Sequence, residues 1–128
     1  MERRTLEISL LKDRYGEAEI GPNLEYLIFK KYRLPPGWSQ DTTELLVLIP
    51  PGYPMTPPDN FYVSNGLRLQ SGQMPGNYGD GNQQLGRSWG FFSVHIDGEW
   101  RPSADLLHGD NLMTFMLSIV EKRLKELN

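Results

Sequence analysis

Few side chains in this sequence can move a proton or carry an acyl group, and three of them fall close together. Ser93, His95 and Asp97 occupy alternate positions of Ser93-Val94-His95-Ile96-Asp97. In an extended chain alternate residues share one face, with successive members about 6.5 Å apart at Cα. A serine hydroxyl is almost wholly protonated at neutral pH and attacks an activated carbonyl only when a base takes its proton. His95 is the one base nearby. Asp97 would face it if extension continued, although Asp97-Gly98 reads as a turn and a triad is recognised by geometry rather than order. On residue types alone, an ordinary hydroxyl and an ordinary strand histidine are the better assignments.

The residue types that are absent narrow the chemistry. There is no cysteine, which excludes disulfides, thiolate zinc sites and a thiol nucleophile. The second histidine, His108, precedes a helical segment and reads as a capping or surface residue. His95, Asp97, Asp105 and His108 match no standard metal-ligand spacing, and the glycines lack the strand-then-helix context of a phosphate loop. No metal or cofactor is expected. A net charge of −3 disfavours nucleic acid and an anionic membrane as partners. No apolar run approaches a membrane span, and Met1-Glu2-Arg3-Arg4 opens no signal-peptide core, so a cytoplasmic location is expected. The length of 128 residues, with 38% hydrophobic and 23% charged residues, suits one globular domain over 1–128.

The elements that must position these groups centre on residues 43–63. Leu45-Leu46-Val47-Leu48-Ile49 is an unbroken apolar run bounded by turn formers, which predicts a buried strand. Five prolines follow within nine residues: Pro50, Pro51, Pro54, Pro57 and Pro58. Each fixes its own φ, lacks an N–H and biases the preceding residue toward extended geometry. A flexible loop would use Gly and Ser instead, so this is a stiff connector to a second strand, Phe61-Tyr62-Val63. Upstream, residues 5–15 place Leu6, Leu10, Leu11 and Tyr15 at helical spacing, with Gly16 as a stop. A short strand or loop is predicted over 17–23 and a strand over 24–34, whose Lys30, Lys31 and Arg33 read as a solvated edge. Trp38 reads as a packing residue.

Residues 70–87 hold five glycines and almost no aliphatic side chain. This predicts a long loop, a flap over the site or a plain surface insertion, and its place before Ser93 favours the flap. Residues 89–100 read as semi-extended. From Asn111 onward the apolar residues keep helical spacing, with Asp110 as N-cap and Lys122, Arg123 and Lys125 near the C-terminal end. The Met and Phe stripe of that helix is core.

Tyr53-Pro54-Met55-Thr56-Pro57-Pro58, placed directly after a hydrophobic strand, resembles the YPxxPP signature of the ubiquitin-conjugating (UBC) superfamily. Trp100-Arg101-Pro102 resembles the WxP element that follows the catalytic loop in that superfamily. The resemblance extends over roughly residues 5–127 and, with no cysteine present, points to a divergent bacterial branch. It implies an α+β, UBC-like fold: an antiparallel meander sheet of about four strands, an N-terminal helix and a longer C-terminal helix. The first helix of the superfamily docks the activating enzyme, although the apolar stripe here also suits plain packing on the sheet.

With Trp100 set on the superfamily's tryptophan and a gap of one residue, Ser93 falls on the nucleophile's position. The resemblance then implies a transferase. Ser93 would take the C-terminus of a ubiquitin-like protein from an adenylating, activating-enzyme-like partner as an oxyester, with His95 as base, and pass it to a target lysine. Adenylation would belong to the partner. His95 beside Ser93 favours a native serine over an engineered trap or a coincidence. An oxyester is less reactive than a thioester and needs an oxyanion stabiliser. The superfamily's HPN tripeptide is absent, leaving Asn77, Asn82, Gln83 or Gln84 as amide donors by chemical type. Asn82, Trp89 and Trp100 are the expected substrate contacts. Two alternatives stand beside this: a catalytically inactive UBC-like module that docks a ubiquitin-like protein or its activating enzyme, and, more weakly, a serine hydrolase of small esters.

Overall fold

The computed structural model describes residues 3–96, 98–105 and 108–128. The architecture is α+β. Helix α1 (Arg3–Tyr15) leads into strands β1 (Ala18–Ile20), β2 (Tyr26–Arg33), β3 (Thr42–Leu48), β4 (Phe61–Ser64), β5 (Tyr78–Gln84) and β6 (Arg87–Phe92). The C-terminal helix opens as α2 (Leu112–Phe115), passes through a π-helical segment (Met116–Glu121) and ends as α3 (Lys122–Lys125). The strands form one antiparallel sheet in the order β1-β2-β3-β4-β6-β5.

The sheet has six strands rather than about four, and it is not a plain meander, because β6 lies between β4 and β5. The difference comes from the glycine-rich stretch expected to be a loop. Its second half is β5, an edge strand that buries little, so Gly79, Asp80 and Gly81 serve where a central strand would need aliphatic residues. Its pairing to β6 is backbone hydrogen bonding, with an irregularity between Gly79 and Asn82 where Gly81 takes φ 75°.

The apolar run of β3 is unbroken because both faces of the sheet are covered by apolar side chains. Leu45, Val47 and Ile49 join the main core with Ile8 and Leu11 of α1 and Leu112, Phe115 and Val120 of the C-terminal helix. Leu46 packs on the other face with Ile28, Tyr62 and Trp89. A bulge between Phe29 and Tyr32 shifts the alternation of β2. Both of those rings therefore reach the main core, and Lys30 and Lys31 are both left exposed.

Of the expected stripe of helix α1, Leu11 is buried and Tyr15 packs against the core, whereas Leu6 and Leu10 are 38% and 44% exposed and Glu7 and Ile8 are buried instead. The buried carboxylate explains the rotation. Glu7 Oε1 accepts from the Tyr53 hydroxyl and from Leu112 N (2.7 Å), and Oε2 accepts from Arg3 Nε at 2.7 Å. A charge sits in the core only when it is bonded in this way, and a pattern of apolar residues cannot register it. The C-terminal helix is capped by Asn111 rather than Asp110. Asn111 Oδ1 accepts from Thr114 N at 3.0 Å, and Thr114 Oγ1 accepts from Asn111 N at 2.9 Å. Asp110 instead accepts from Arg101 N (2.7 Å) and donates its own amide to Arg101 O (2.8 Å). Trp38 is buried, and its indole N–H donates to Leu124 O at 2.8 Å.

Candidate functional site

The proline-rich connector is the base of the site. Prolines offer no N–H, so the connector forms no strand ladder; Tyr53 N and Thr56 N donate within it to Pro50 O and Gly52 O (both 3.0 Å), and side chains from elsewhere add to these. Arg4 donates to Pro50 O (3.0 Å) and Pro51 O (3.2 Å), and the Trp100 indole donates to Pro54 O (2.7 Å). Tyr53 is buried and bonded to Glu7. The two motifs at 53–58 and 100–102 therefore touch each other directly.

The connector ends in Asp59 and Asn60, and these two residues hold the segment after β6. Asn60 N donates to Val94 O, and Val94 N donates to Asn60 Oδ1, both at 3.1 Å. Asn60 adopts φ 60°, a left-handed conformation that asparagine tolerates. Ser93 N donates to Asn77 O at 2.9 Å, which fixes the segment from the β5 side. His95 Nδ1 lies 2.7 Å from Asp59 Oδ1. With the carboxylate accepting from Nδ1–H, the neutral ring carries its free lone pair on Nε2. The His95 side chain is 69% exposed, so that nitrogen is open to a reactant.

The sequence-expected residues are placed unequally. β6 ends at Phe92, and Val94 N turns back to within 3.1 Å of Phe92 O, so 93–96 is not the extended run on which a shared face was argued. Among the described residues no hydrogen bond joins Ser93 to His95. Asp97 lies outside the described residues, and the carboxylate on His95 is that of Asp59. Ser93 is exposed and lines a cleft of about 640 Å³ with Asn77, His95, Arg123 and Glu126. His95 also lines an adjoining cleft of about 460 Å³ with Trp100, Ser118 and Lys122. Part of that wall is the π-helical segment, a local widening of the helix often found at sites.

Asn82 and Trp89 are cross-strand partners near the far end of the β5–β6 hairpin. Trp89 is fully buried with Ile28, Leu46 and Tyr62, under the Arg87 guanidinium at 3.9 Å from the ring centroid. The structure does not bring this pair to Ser93 and His95. Of the four amide side chains considered, Asn77 alone lines a cleft with Ser93. His108 pairs with Asp105 at 2.7 Å, and both side chains are well exposed. No cluster of three or more His, Asp or Glu suited to a metal occurs among the described residues, and no helix there is long and apolar enough to cross a membrane.

Two residues at the site were not singled out as such from sequence. One is Asp59, hidden because its partner lies far along the chain. The other is Arg123, expected only as one of the cations near the helix end, and it is buried. Its guanidinium donates to Gly76 O (2.7 Å), Glu126 O (2.8 Å) and Asn128 O (3.0 Å) and covers the Phe92 ring at 4.9 Å. Burial draws its pKa below the ordinary arginine range. Gly76 precedes Asn77, the anchor of Ser93, so Arg123 ties that anchor down and adds positive charge to the cleft wall.

No curated protein and no solved structure matches the chain. A family model, prokaryotic E2 family E, matches residues 11–126, a span that contains the proline-rich connector, the Asp59–His95 pair and Trp100-Arg101-Pro102. With the match covering most of its length and both motifs inside it, the chain belongs to prokaryotic E2 family E.

Proposed function

We propose that this chain is the conjugating transferase of a ubiquitination-like pathway. It takes the C-terminal acyl group of a ubiquitin-like protein onto Ser93 as an oxyester and passes it to a target lysine, on a fold of UBC type. The observation that carries this is the Asp59–His95 pair, whose histidine lines one cleft with Ser93, in a segment held by the Asn60–Val94 hydrogen bonds. Family membership supports the general class of reaction. The activating partner supplies ATP-driven adenylation, which is the reason to place the reaction in the cytoplasm.

In the loading step, Ser93 Oγ attacks the acyl carbon of the activated ubiquitin-like protein, and His95 Nε2 accepts the hydroxyl proton. The bond from the acyl carbon to its activating group breaks, and that group leaves with the electron pair. His95 then releases the hydroxyl proton to solvent. In the transfer step the lysine amine attacks the oxyester, the amine's proton passes to His95 Nε2, and His95 delivers it to Ser93 Oγ as the acyl C–O bond breaks. Asp59 keeps the imidazole in the tautomer that both steps use. The Ser93–His95 contact closes when the acyl group binds, as catalytic hydrogen bonds often do. Arg123 contributes positive charge at the wall where the oxyanion develops.

The missing Ser93–His95 hydrogen bond favours a second reading, a catalytically inactive module that docks a ubiquitin-like protein or its activating enzyme. Incubation with the activating enzyme, the ubiquitin-like protein and ATP separates the two. The transferase forms a covalent adduct that resists thiols and yields to alkali. The module binds and forms none.

A further inference from the structure

A cleft of about 590 Å³ opens where the end of α1, the end of β2 and the last turns of the C-terminal helix meet. It shares no lining residue with the two clefts at Ser93 and His95. Its floor is apolar, with Tyr15 and Tyr32 stacked at 5.5 Å between ring centroids and Leu34, Pro35 and Leu124 around them. Its rim is cationic. Arg14, Lys31, Arg33 and Lys125 line it, against the single carboxylate of Glu121.

Glu121 is already engaged, accepting from the Tyr15 hydroxyl and from Arg14 at 3.4 Å. Lys31, Arg33 and Lys125 make no ion pair among the described residues. This positive surface stands on a chain whose net charge is −3. The backbone beside it is open as well. β1 pairs with β2 over Leu27–Phe29 and Lys30 N donates to Glu17 O at 3.3 Å, whereas β3 pairs as far as Arg33, so residues 31–33 at the end of β2 have a strand on one side only. Lysines on a sheet edge often serve simply to prevent edge-to-edge pairing. That role accounts for Lys31. It leaves unexplained the apolar floor and the convergence of cations from three separate elements.

We propose that this cleft docks an acidic, extended segment of a partner protein, laid along the open end of β2. Its carboxylates meet Lys31, Arg33, Arg14 and Lys125, and an apolar side chain between them rests on Tyr15 and Tyr32. Strand addition of this kind takes affinity from the sheet edge and specificity from the side chains. The inference does not depend on Ser93 being a nucleophile.

The test is fluorescence anisotropy with a labelled peptide of Asp and Glu flanking one Phe. The wild-type protein is expected to bind it, more weakly as salt rises. Lys31→Glu with Arg33→Glu should weaken binding about tenfold or more, from two exposed contacts turned repulsive. Lys31→Gln with Arg33→Gln should weaken it less. Both double variants should keep the wild-type melting temperature, since the side chains are exposed. Arg87→Glu with Arg101→Glu, an equal charge change outside the cleft, should leave binding unchanged. A peptide with Asn and Gln in place of the acids should not bind. The proposal is overturned if the wild type does not bind, if the control variant weakens binding as much, or if a thymidine oligonucleotide displaces the peptide at equal concentration, which would mark a general polyanion surface.

Discussion

Asp59 Oδ1 lies 2.7 Å from His95 Nδ1, joining the end of the proline-rich connector to the segment that follows β6. Both side chains are more than half exposed, so the pair adds little to stability. Its value is orientation. His95→Ala should slow single-turnover transfer about a hundredfold, the usual scale for losing a general base. Asp59→Ala, which leaves the ring free to rotate and change tautomer, should slow it about tenfold with an unchanged melting temperature. Equal rates for Asp59→Ala and wild type would reduce the pair to a surface contact.

The buried carboxylate of Glu7 links α1, the connector and the start of the C-terminal helix through Arg3, Tyr53 and Leu112. Glu7→Ala strands the Tyr53 hydroxyl and the Leu112 amide without a partner. Urea unfolding should show a loss of about 3 kcal/mol. Leu6→Ala on the exposed side of the same helix should change stability by less than about 0.5 kcal/mol.

Asp80 gives the fold an acid-sensitive joint. Its carboxylate accepts from Arg68, from the Tyr78 hydroxyl (2.6 Å) and from Gly66 N (3.0 Å). The bond from Arg68 is the main cause that lowers its pKa from 3.8 to about 2, while burial pushes Tyr78 up to about 12. A depressed folded-state pKa means the contribution is fully present above the unfolded value and is lost as pH falls through about 2. Asp80→Asn should therefore be less stable than wild type near neutral pH, with the gap closing as pH falls from about 4 toward 2. A gap that stays constant over that range would contradict this account.

The Trp100 indole bond to Pro54 O, at 2.7 Å, is the contact between the two family motifs. Trp100→Phe keeps an aromatic ring beside Tyr53 and removes the donor. It should cost about 1 kcal/mol in urea unfolding and slow transfer as well, because the same side chain lines the cleft with His95. A stability loss with no change in transfer would assign Trp100 to the scaffold alone.

What was legible in the sequence followed what burial imposes on residue type. β3 and β4 were marked by Leu45–Ile49 and Phe61–Val63, and the C-terminal helix by its apolar spacing. β5 was not, because an edge strand of Gly, Asp, Asn and Gln is held by backbone bonds that side chains do not announce. On α1, Leu11 and Tyr15 were legible as core-facing, but Leu6 and Leu10 lie outside, because Glu7 is buried through its partners and apolar spacing does not register that. At the site, Ser93 and His95 were named from the family motifs, and Trp100, expected as a substrate contact, lines a cleft with His95. Asp59 could not be found, because its pairing with His95 depends on how β4 and β6 lie side by side.

The most direct measurement is peptide mapping of the loaded protein by tandem mass spectrometry. Wild type is charged with activating enzyme, ubiquitin-like protein and ATP, then digested under acidic conditions that preserve esters. The predicted result is an acyl group on Ser93, absent from Ser93→Ala and formed far more slowly in His95→Ala. An adduct mapped to any other residue, or an undiminished adduct in Ser93→Ala, would contradict the oxyester mechanism.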